Sequence, residues 1–232
     1  MPDPVALPQL DIVARPSVAD QVFEELRRQV LTLELAPGTK ISEVEVAKAM
    51  GVSRQPVRDA FYRLSKLGFL LIRPQRATTV TLISSAAVMQ ARFIRMALEL
   101  ETVRVAATRL GEEDFAALQE ILDRQHGAVK AADRSRFHRL DDLFHHEICA
   151  RAGLGFAWDL ISENKGHMDR VRLLTLSFAL DDAYGDHLRI FEALKANDPD
   201  RSAETMRAHL TRIVQQIERT RDANHAWFAD ED

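Results

Sequence analysis

The spacing of hydrophobic residues along the chain changes near residue 80. Before that point, apolar residues fall in short runs that are interrupted by Pro37, Pro56 and Pro74. After Pro74 no proline occurs until Pro199, and apolar residues recur there at intervals of three and four. Such a pattern is typical of long amphipathic helices, because residues three and four apart share one helix face. We therefore expect a mainly α-helical protein in which a domain of short elements precedes an all-helical bundle.

The first part of the chain predicts three short helices and a β-hairpin. One helix covers residues 18–34 and is stopped by Pro37-Gly38, and a second, SEVEVAKAM, ends at Gly51. Ser53 can cap a third helix, and the β-rich runs FLLIR and TTVTL then flank the turn PQRA. The apolar stripes of the first and third helices are Val22, Leu26, Val30 and Leu33, and Ala60, Phe61, Leu64 and Leu67. This order of elements is that of a winged helix-turn-helix.

The second part predicts about six helices in one bundle. Capping and glycine signals place them at about residues 84–110, 112–131, 133–152, 155–178, 181–197 and 199–227. Four prolines crowd the first 16 residues, which indicates an irregular segment. The predicted domains are therefore a flexible N-terminal arm at 1–16, a winged helix-turn-helix at 17–82 and a helical domain at 83–232.

Composition excludes several classes of protein. No run approaches the roughly 20 apolar residues that a membrane helix needs, and no signal peptide is visible, so we expect a cytoplasmic protein with no membrane partner. A single cysteine, Cys149, rules out a disulfide framework and any all-cysteine metal site. Residues 1–80 carry 11 Lys and Arg against 9 Asp and Glu, a net +2, whereas the remainder carries 20 against 26, a net -6. The two parts therefore suit different partners.

A basic helix face lies in the stretch GVSRQPVRDAFYRLSKLGFL. Arg54 and Arg58 are one helical turn apart, opposite the apolar stripe, and residues 53–66 carry four basic side chains against one aspartate. Guanidinium groups at a helix N-terminus can pair with guanine edges or anchor phosphates, and the amide of Gln55 can serve adenine. A solvated helix face is the competing interpretation, but the short helix, the tight turn and the following hairpin favour DNA.

Many positions from Leu35 to Gly68 fit one long pattern, LxPGxxLxExxLAxxxGVSRxPVRxAxxxLxxxGxL. The matching residues are Leu35, Pro37-Gly38-Thr39, Ile41, Glu43, Ala47, Gly51-Val52-Ser53-Arg54, Pro56-Val57-Arg58, Ala60, Leu64 and Gly68. The pattern resembles the N-terminal domain of the GntR family of bacterial transcription regulators. The resemblance implies operator DNA as the partner, with Arg54 and Arg58 in contact with it and a further contact from the wing. The candidate DNA-binding residues are Ser53, Arg54, Gln55, Arg58 and Arg76.

Two positions depart from the family pattern. The wing of this family usually has a glycine after its arginine, whereas Ala77 follows Arg76 here, and a positive-φ turn at an alanine would be strained. Some relatives also have an arginine in the second helix, where Val44 stands. We therefore expect the details of wing and base contact to differ, while the binding class is kept.

The stretch LDDLFHHEI, at 140–148, places two carboxylates four residues ahead of two imidazoles. On an ideal helix of about 100° per residue, the core-facing stripe is formed by Phe137, Leu140, Phe144 and Ile148. Asp141 and His145 border that stripe, so they can bind one ion from a single helix. Asp142 and His146 point away from it, toward solvent.

Two further histidines lie on apolar stripes, His187 with Phe191 and His209 with Leu210. Each alone is more often a hydrogen-bonded core residue than a metal ligand. Three inward histidines and one inward carboxylate in one bundle favour a shared ion, because burying these polar groups separately is costly. The predicted ligand set is Asp141, His145, His187 and His209.

These positions fit a second pattern, DxxFHxxIxxxAG followed by a later histidine and then MxxHL. The matching residues are Asp141, Phe144-His145, Ala152-Gly153, His187, Ile190, Ala193, Asp198, Met206 and His209-Leu210. The pattern resembles the FCD ligand-binding domain of the FadR-like branch of the GntR family, and the two resemblances cover nearly the whole chain after residue 16. This one implies one divalent metal whose open positions accept water or the carboxylate of a small acid. Leu154 departs from the AGN that is common there.

Three nitrogens and one oxygen suit zinc first, and also nickel or manganese. An effector that carries a carboxylate would need a fixed cation as well. The candidate effector-binding residues are Arg95, Arg170 and Arg172, on the first and fourth bundle helices. An ion pair with Glu99, four residues further on, is an equal contender for the role of Arg95. The expected effector is a small carboxylic acid or sugar acid.

The sequence leaves three functions to compare. The first is a homodimeric transcription regulator, a repressor, whose DNA affinity is controlled by a small carboxylate at the metal; two half-sites in the DNA imply the dimer. The second is a helical metallohydrolase, although no HExxH occurs, since Ala150 stands where the second histidine should follow His146-Glu147. The third is a regulator with a purely structural metal. We predict the first, and no enzymatic activity.

Overall fold

A computed structural model of the chain describes residues 16–73, 75–175 and 179–230. The described residues divide into two compact units. One unit comprises the residues up to Arg28 together with Lys40–Thr79, and the other comprises Gln29–Thr39 together with the residues from Val80 onward. Most of the predicted N-terminal arm, residues 1–15, lies outside the described residues.

The first unit contains three helices and three short strands. They are α1 (Val18–Leu31), whose last turn groups with the second unit, β1 (Lys40–Ile41), α2 (Glu43–Met50), α3 (Arg54–Lys66), β2 (Leu70–Leu71) and β3 (Thr78–Val80). The sheet order is β1-β3-β2, and β1 runs antiparallel to β3 with Lys40 opposite Thr79. This arrangement confirms the predicted winged helix-turn-helix.

Local sequence explains where α2 and α3 begin and end. The side chain of Ser42 accepts a hydrogen bond from the Glu45 amide at the start of α2, and Gly51 ends that helix with a φ of 67°, which costs glycine little. Ser53 occupies the N-cap position of α3, but its side chain makes no capping hydrogen bond to the described residues. The buried face of α3 consists of Val57, Ala60, Phe61 and Leu64.

Three details of the first unit differ from the sequence prediction. α1 ends at Leu31 rather than near residue 34, because Leu33 adopts a φ of 63° that no helix can contain. Leu67 caps α3 and is exposed, so it is not part of the buried stripe. In the wing the positive φ, 56°, falls on Gln75, and Ala77 is not among the positive-φ residues described. The strain expected at Ala77 is therefore located two residues earlier.

The second unit is a helical bundle. Its helices are α4 (Ser85–Arg109), α5 (Glu112–Lys130), α6 (Arg134–Arg151), α7 (Gly155–Asn164), α8 (Gly166–Thr175), α9 (Leu180–Lys195) and α10 (Pro199–Ala223), followed by a 3-10 turn at His225–Trp227. α4, α5, α6, α9 and α10 share one core, whose larger members are Leu100, Leu118, Leu122, Phe144, Ile148, Ile190, Phe191, Leu194, Met206 and Leu210. None of the described helices is long and apolar enough to span a lipid bilayer.

The single helix predicted over 155–178 is two helices, α7 and α8. The break falls at Asn164-Lys165-Gly166, where asparagine and glycine are weak helix formers. The ammonium group of Lys165 is buried there, 2.8 Å from Asp142 Oδ2 and in contact with Asp169. Arg172, further along α8, likewise contacts Asp141 and Asp142 of α6. Residues 176–178 lie outside the described residues.

Candidate metal and effector site

Three helices bring the four predicted ligand residues together. α6 supplies Asp141 and His145 one turn apart, α9 supplies His187 and α10 supplies His209. One potential ligand atom from each of the four lies within 4.8 Å of the others. Asp141, His145 and His187 are buried, and His209 is nearly so. The helical-phase argument therefore identified side chains that do converge.

The ring nitrogens named Nε2 point at a common centre. His145 Nε2 lies 3.2 Å from His209 Nε2 and 3.9 Å from Asp141 Oδ2. His187 Nε2 lies 3.4 Å from Asp141 Oδ1. These nitrogen and oxygen atoms are close enough together for one small cation to contact all of them with little movement of the side chains.

The opposite ring nitrogens, Nδ1, each face an acceptor on another residue. His145 Nδ1 lies 2.6 Å from Glu99 Oε2, His187 Nδ1 lies 2.8 Å from Gln125 Oε1, and His209 Nδ1 lies 3.4 Å from Asp186 Oδ2. Carboxylate and amide oxygens accept and do not donate, so a proton on the Nδ1 that faces such an oxygen is favoured. In a neutral ring with Nδ1 protonated, Nε2 presents a lone pair to the centre, which is the tautomer that a metal ligand needs.

The acceptors are themselves held in place. Arg95 Nε lies 2.5 Å from Glu99 Oε1, and the amide nitrogen of Gln125 donates to the carbonyl of Leu140 at 2.9 Å. Two nitrogens of Arg212 donate to the two carboxylate oxygens of Asp186, at 2.7 and 2.8 Å. Because the Gln125 amide is oriented by Leu140, its oxygen is fixed toward the imidazole.

The burial of the histidines and the missing hydrogen-bond partner of one ring nitrogen fit a divalent ion at this centre. His187 is fully buried and its Nε2 has no hydrogen-bond partner among the described residues, although a buried polar atom without a partner is costly. Burial lowers the pKa of His187 well below its usual range, and it also lowers that of His209, so both rings are neutral near pH 7. A cation at the centre would use the lone pair that is otherwise unmatched.

Arg172 of α8 provides a positive charge beside the centre. Its guanidinium contacts Asp141 Oδ2 and lies 3.2 Å from Asp142 Oδ1 and 2.9 Å from Asp169 Oδ1. Burial alone would raise the pKa of Asp141, but the charge of Arg172 and the neighbouring histidines hold it well below the usual range. Asp141 is therefore an anion whose Oδ1 lies nearest His187, while Oδ2 contacts the arginine and lies 3.9 Å from His145 Nε2.

Of the second pair in LDDLFHHEI, Asp142 and His146, only His146 faces solvent as predicted. His146 is 42% exposed and lies beside Glu147, as a solvent-facing residue would. Asp142 was expected to face solvent, but its carboxylate is half-buried between Lys165 and Arg172. The phase on α6 is as predicted, yet α7 and α8 cover that side of the helix. His138, Asp142 and Asp169 also cluster, but Lys165 and Arg172 already neutralise the carboxylates, so that cluster needs no metal.

A cavity of about 50 Å³ adjoins the centre. Its wall includes three arginines, Arg95, Arg172 and Arg212, together with Asp141, His209, Met168, Thr175, Leu210, Ile213 and Gln216. Arg95 is buried, and its Nη2 has no partner among the described residues even though Nε pairs with Glu99. Two of the three predicted effector-binding arginines, Arg95 and Arg172, therefore line the cavity. Arg170 does not, because its guanidinium points to the carbonyl of Thr81, at 2.6 Å.

The exposed end of α3 carries the predicted DNA-binding residues of the helix. The side chains of Arg54 and Arg58 are 60% and 57% exposed, and both lie near Glu43 of α2. Gln55 is exposed and its amide donates to Asp59 at 3.0 Å. Arg76 is exposed in the turn between β2 and β3. On α3 these polar side chains are thus exposed to solvent, and Arg54, Gln55 and Arg58 also contact acidic neighbours.

Sequence reasoning missed the residues that hold the histidines. Glu99 was considered only as a partner for Arg95, and Asp186 and Arg212 lie among many other charges of α9 and α10. Gln125 did carry a signal, since it stands on the buried face of α5 with Leu122 and Ala128. A lone amide on an apolar helix face must find a buried partner.

A winged helix-turn-helix joined to a helical bundle is an architecture typical of DNA-binding transcription regulators. Residues 18–80 match the family described as "Bacterial regulatory proteins, gntR family", and residues 90–212 match the FCD domain. The chain therefore belongs to the GntR family and carries an FCD domain, as its two motifs predicted.

Individual relatives agree with this assignment. The "HTH-type transcriptional repressor RspR" of Escherichia coli K12 is 37% identical over 216 residues, which cover 92% of this chain and 95% of that protein. The "Probable D-xylose utilization operon transcriptional repressor" of Paenarthrobacter nicotinovorans is 30% identical over 85% of this chain and 88% of its own length. The structure of E. coli McbR/YncC has a TM-score of 0.74 at 24% identity, over 88% of this chain and 98% of that one, which shows a shared fold. Family membership confirms a transcription regulator rather than an enzyme.

Proposed function

We propose that this protein is a homodimeric, cytoplasmic repressor whose affinity for operator DNA is controlled by a small carboxylate at a divalent metal in the helical unit. One observation carries the proposal. One ring nitrogen from each of three histidines and a carboxylate oxygen lie within 4.8 Å of one another, and each imidazole has its Nδ1 facing an acceptor oxygen. Histidines that serve only as packing residues have no reason to share one tautomer and one centre.

The metal that best suits this donor set is zinc, with nickel or manganese as alternatives. His145, His187, His209 and Asp141 would hold it. When bound, the ion supplies open coordination positions that a carboxylate oxygen can take. The protein contributes the neutral rings of His187 and His209 and the carboxylate anion of Asp141, so these three ligands do not have to lose a proton near pH 7.

The effector is proposed to be a small carboxylic acid or sugar acid. Three arginines line the cavity beside the centre, and the Nη2 atom of one of them, Arg95, has no hydrogen-bond partner among the described residues. Buried donors of this kind favour an anion with oxygen acceptors.

The link from the cavity to the chain segment just after β3 is proposed to run through α8. Arg172 of this helix contacts Asp141, and Arg170, two residues earlier, donates to the carbonyl of Thr81, one residue after β3. Arg170 is fully buried, burial lowers its pKa to about 10, and its Nε and Nη1 lack partners among the described residues. Such a residue costs stability, so a role in transmitting α8 movement would explain its presence.

The DNA contacts are proposed to come from Ser53, Arg54, Gln55 and Arg58 of α3 and from Arg76 of the wing. Two copies of α3 in a homodimer would enter successive major grooves, about one helical turn of DNA apart. The test is fluorescence anisotropy with the promoter-proximal DNA of the protein's own operon at moderate salt. Specific binding that Arg54→Ala and Arg58→Ala both weaken is expected. Equal binding by wild type and both variants would refute this interface.

The effector is tested separately by thermal shift. Zinc-loaded protein is screened against sugar acids, hydroxy acids and dicarboxylates, with and without a chelator. A true effector should raise the melting temperature by mass action, and the chelator should abolish the rise. If no acid raises it while zinc alone does, the metal is structural and the effector is refuted.

A further inference from the structure

Glu43, the first residue of α2, faces both arginines at the start of α3. A single carboxylate oxygen, Oε2, lies 3.5 Å from Arg54 Nη2 and 3.4 Å from both Nε and Nη2 of Arg58. Glu43 is 27% exposed and is more enclosed than either arginine. One acidic side chain therefore holds the two proposed DNA-reading guanidinium groups on the same side of the helix.

The arrangement has an electrostatic effect rather than a stabilising one. Ion pairs this exposed contribute little to folding, and α2 is capped without Glu43, through Ser42 and Glu45. The two arginines, however, are like charges close together at the positive end of a helix dipole. The carboxylate reduces their combined charge from +2 to +1 and limits the directions in which they can reach.

A carboxylate in this position affects phosphates and bases differently. A phosphate is an anion, so it must approach the guanidinium groups against the repulsion of Glu43 or displace it. The guanine atoms O6 and N7 are neutral acceptors, which Arg54 or Arg58 can meet while Glu43 stays in place. Binding without sequence preference depends mainly on phosphates, so the carboxylate penalises it more than specific binding.

We propose that Glu43 is a specificity-determining residue, which positions Arg54 and Arg58 for base edges and weakens their capture by phosphates. The proposal rests on the DNA contacts of Arg54 and Arg58 proposed above. An acidic residue outside the basic face would then help the protein to distinguish operator DNA from other DNA.

The test compares two fluorescent duplexes, one selected from a random library with wild-type protein and one of shuffled sequence. Glu43→Gln should bind the shuffled duplex several-fold more tightly, and the slope of log affinity against log salt should steepen by about one. Affinity for the selected duplex should rise less or fall. The ratio of the two affinities should therefore drop by at least about threefold.

Glu45→Gln is the matched control, because it removes the same charge from the same helical turn away from the arginines. An unchanged or increased ratio in Glu43→Gln, or an equal drop in Glu45→Gln, would overturn the proposal. Glu43→Ser, which also removes the charge, replaces the amide variant if that variant fails to fold. Arg54→Ala and Arg58→Ala distinguish a failure of the DNA interface from a failure of the role of Glu43. If these two variants weaken DNA binding while Glu43→Gln leaves the affinity ratio unchanged, the proposed interface stands and only the role of Glu43 is refuted.

Discussion

The two units of this protein differ in the solvent exposure of their candidate functional residues. On α3, Arg54 and Arg58 stand in solvent and share one carboxylate oxygen at 3.4 to 3.5 Å. In the helical unit, His145 and His187 are buried, with Nδ1 beside an oxygen of Glu99 or Gln125 and Nε2 toward the centre. An exposed, loosely held pair can adapt to a large polyanion, whereas a buried and tightly held set selects a small ion. We therefore expect substitutions in the first unit to leave zinc binding intact, and substitutions at the metal site to leave operator binding without effector intact.

The largest effect is expected from His187→Ala. The variant removes a ligand whose Nε2 has no other described partner, so zinc affinity should fall by more than the about 10- to 100-fold that loss of an outer partner causes. Isothermal titration calorimetry measures it. His146→Ala, on the exposed side of α6, should bind zinc like wild type, and equal losses in the two variants would show that the histidines do not form a common site. Binding to operator DNA without effector should survive in His187→Ala.

Arg58→Ala should produce the next largest effect, and only in the first unit. Loss of a base contact by a guanidinium costs about 1–3 kcal/mol of specific binding free energy. Fluorescence anisotropy with the operator duplex checks this, and zinc titration should give the wild-type result. Arg104→Ala, which removes an exposed arginine from α4, is the control. A variant that loses zinc affinity as well would argue against the separation of the two regions.

Gln125→Leu tests whether the outer partners matter. The substitution leaves His187 in place but removes the acceptor for its Nδ1, so we expect zinc affinity to fall about 10- to 100-fold. Gln119→Leu changes an exposed amide of the same helix and should have no effect. If Gln125→Leu binds zinc as tightly as wild type, the tautomer of His187 is not set by this contact.

The smallest expected effect concerns the wing. Gln75→Gly should stabilise the protein by up to about 1 kcal/mol, because Gln75 has a positive φ that a glycine adopts without a Cβ clash. Ala77→Gly should stabilise nothing, and should lower stability slightly by giving the unfolded chain more freedom. Urea unfolding of both variants makes the comparison. A gain at Ala77 and none at Gln75 would place the strained turn where the family pattern suggested.

Much of the fold and of the site followed from residue spacing. Asp141 and His145 are one turn apart at the edge of an apolar stripe, and that spacing is enough to orient them on any straight helix. His187 and His209 were found for the same reason, each on its own stripe. What the spacing could not give was the neighbour of each side chain, because that depends on how separate helices pack.

The errors have the same physical origin. Asp142 has the predicted phase on α6, yet α8 covers it, and this packing depends on a helix break at Lys165 that no proline marks. Arg170 and Arg172 sit on one short helix, but only Arg172 reaches the cavity, while Arg170 turns to Thr81. Local sequence fixes the direction of a side chain relative to its own helix, and tertiary packing decides what it meets.

The central claim is that a small carboxylate at the buried site changes DNA binding. The most direct measurement is an anisotropy titration of the operator duplex with zinc-loaded protein, with and without the acid that gives the largest thermal shift. The account predicts that the acid weakens operator affinity of the wild type by about tenfold or more, a coupling within the usual range, and leaves that of His187→Ala unchanged. Equal wild-type affinity with and without the acid, or the same loss in His187→Ala, would contradict it.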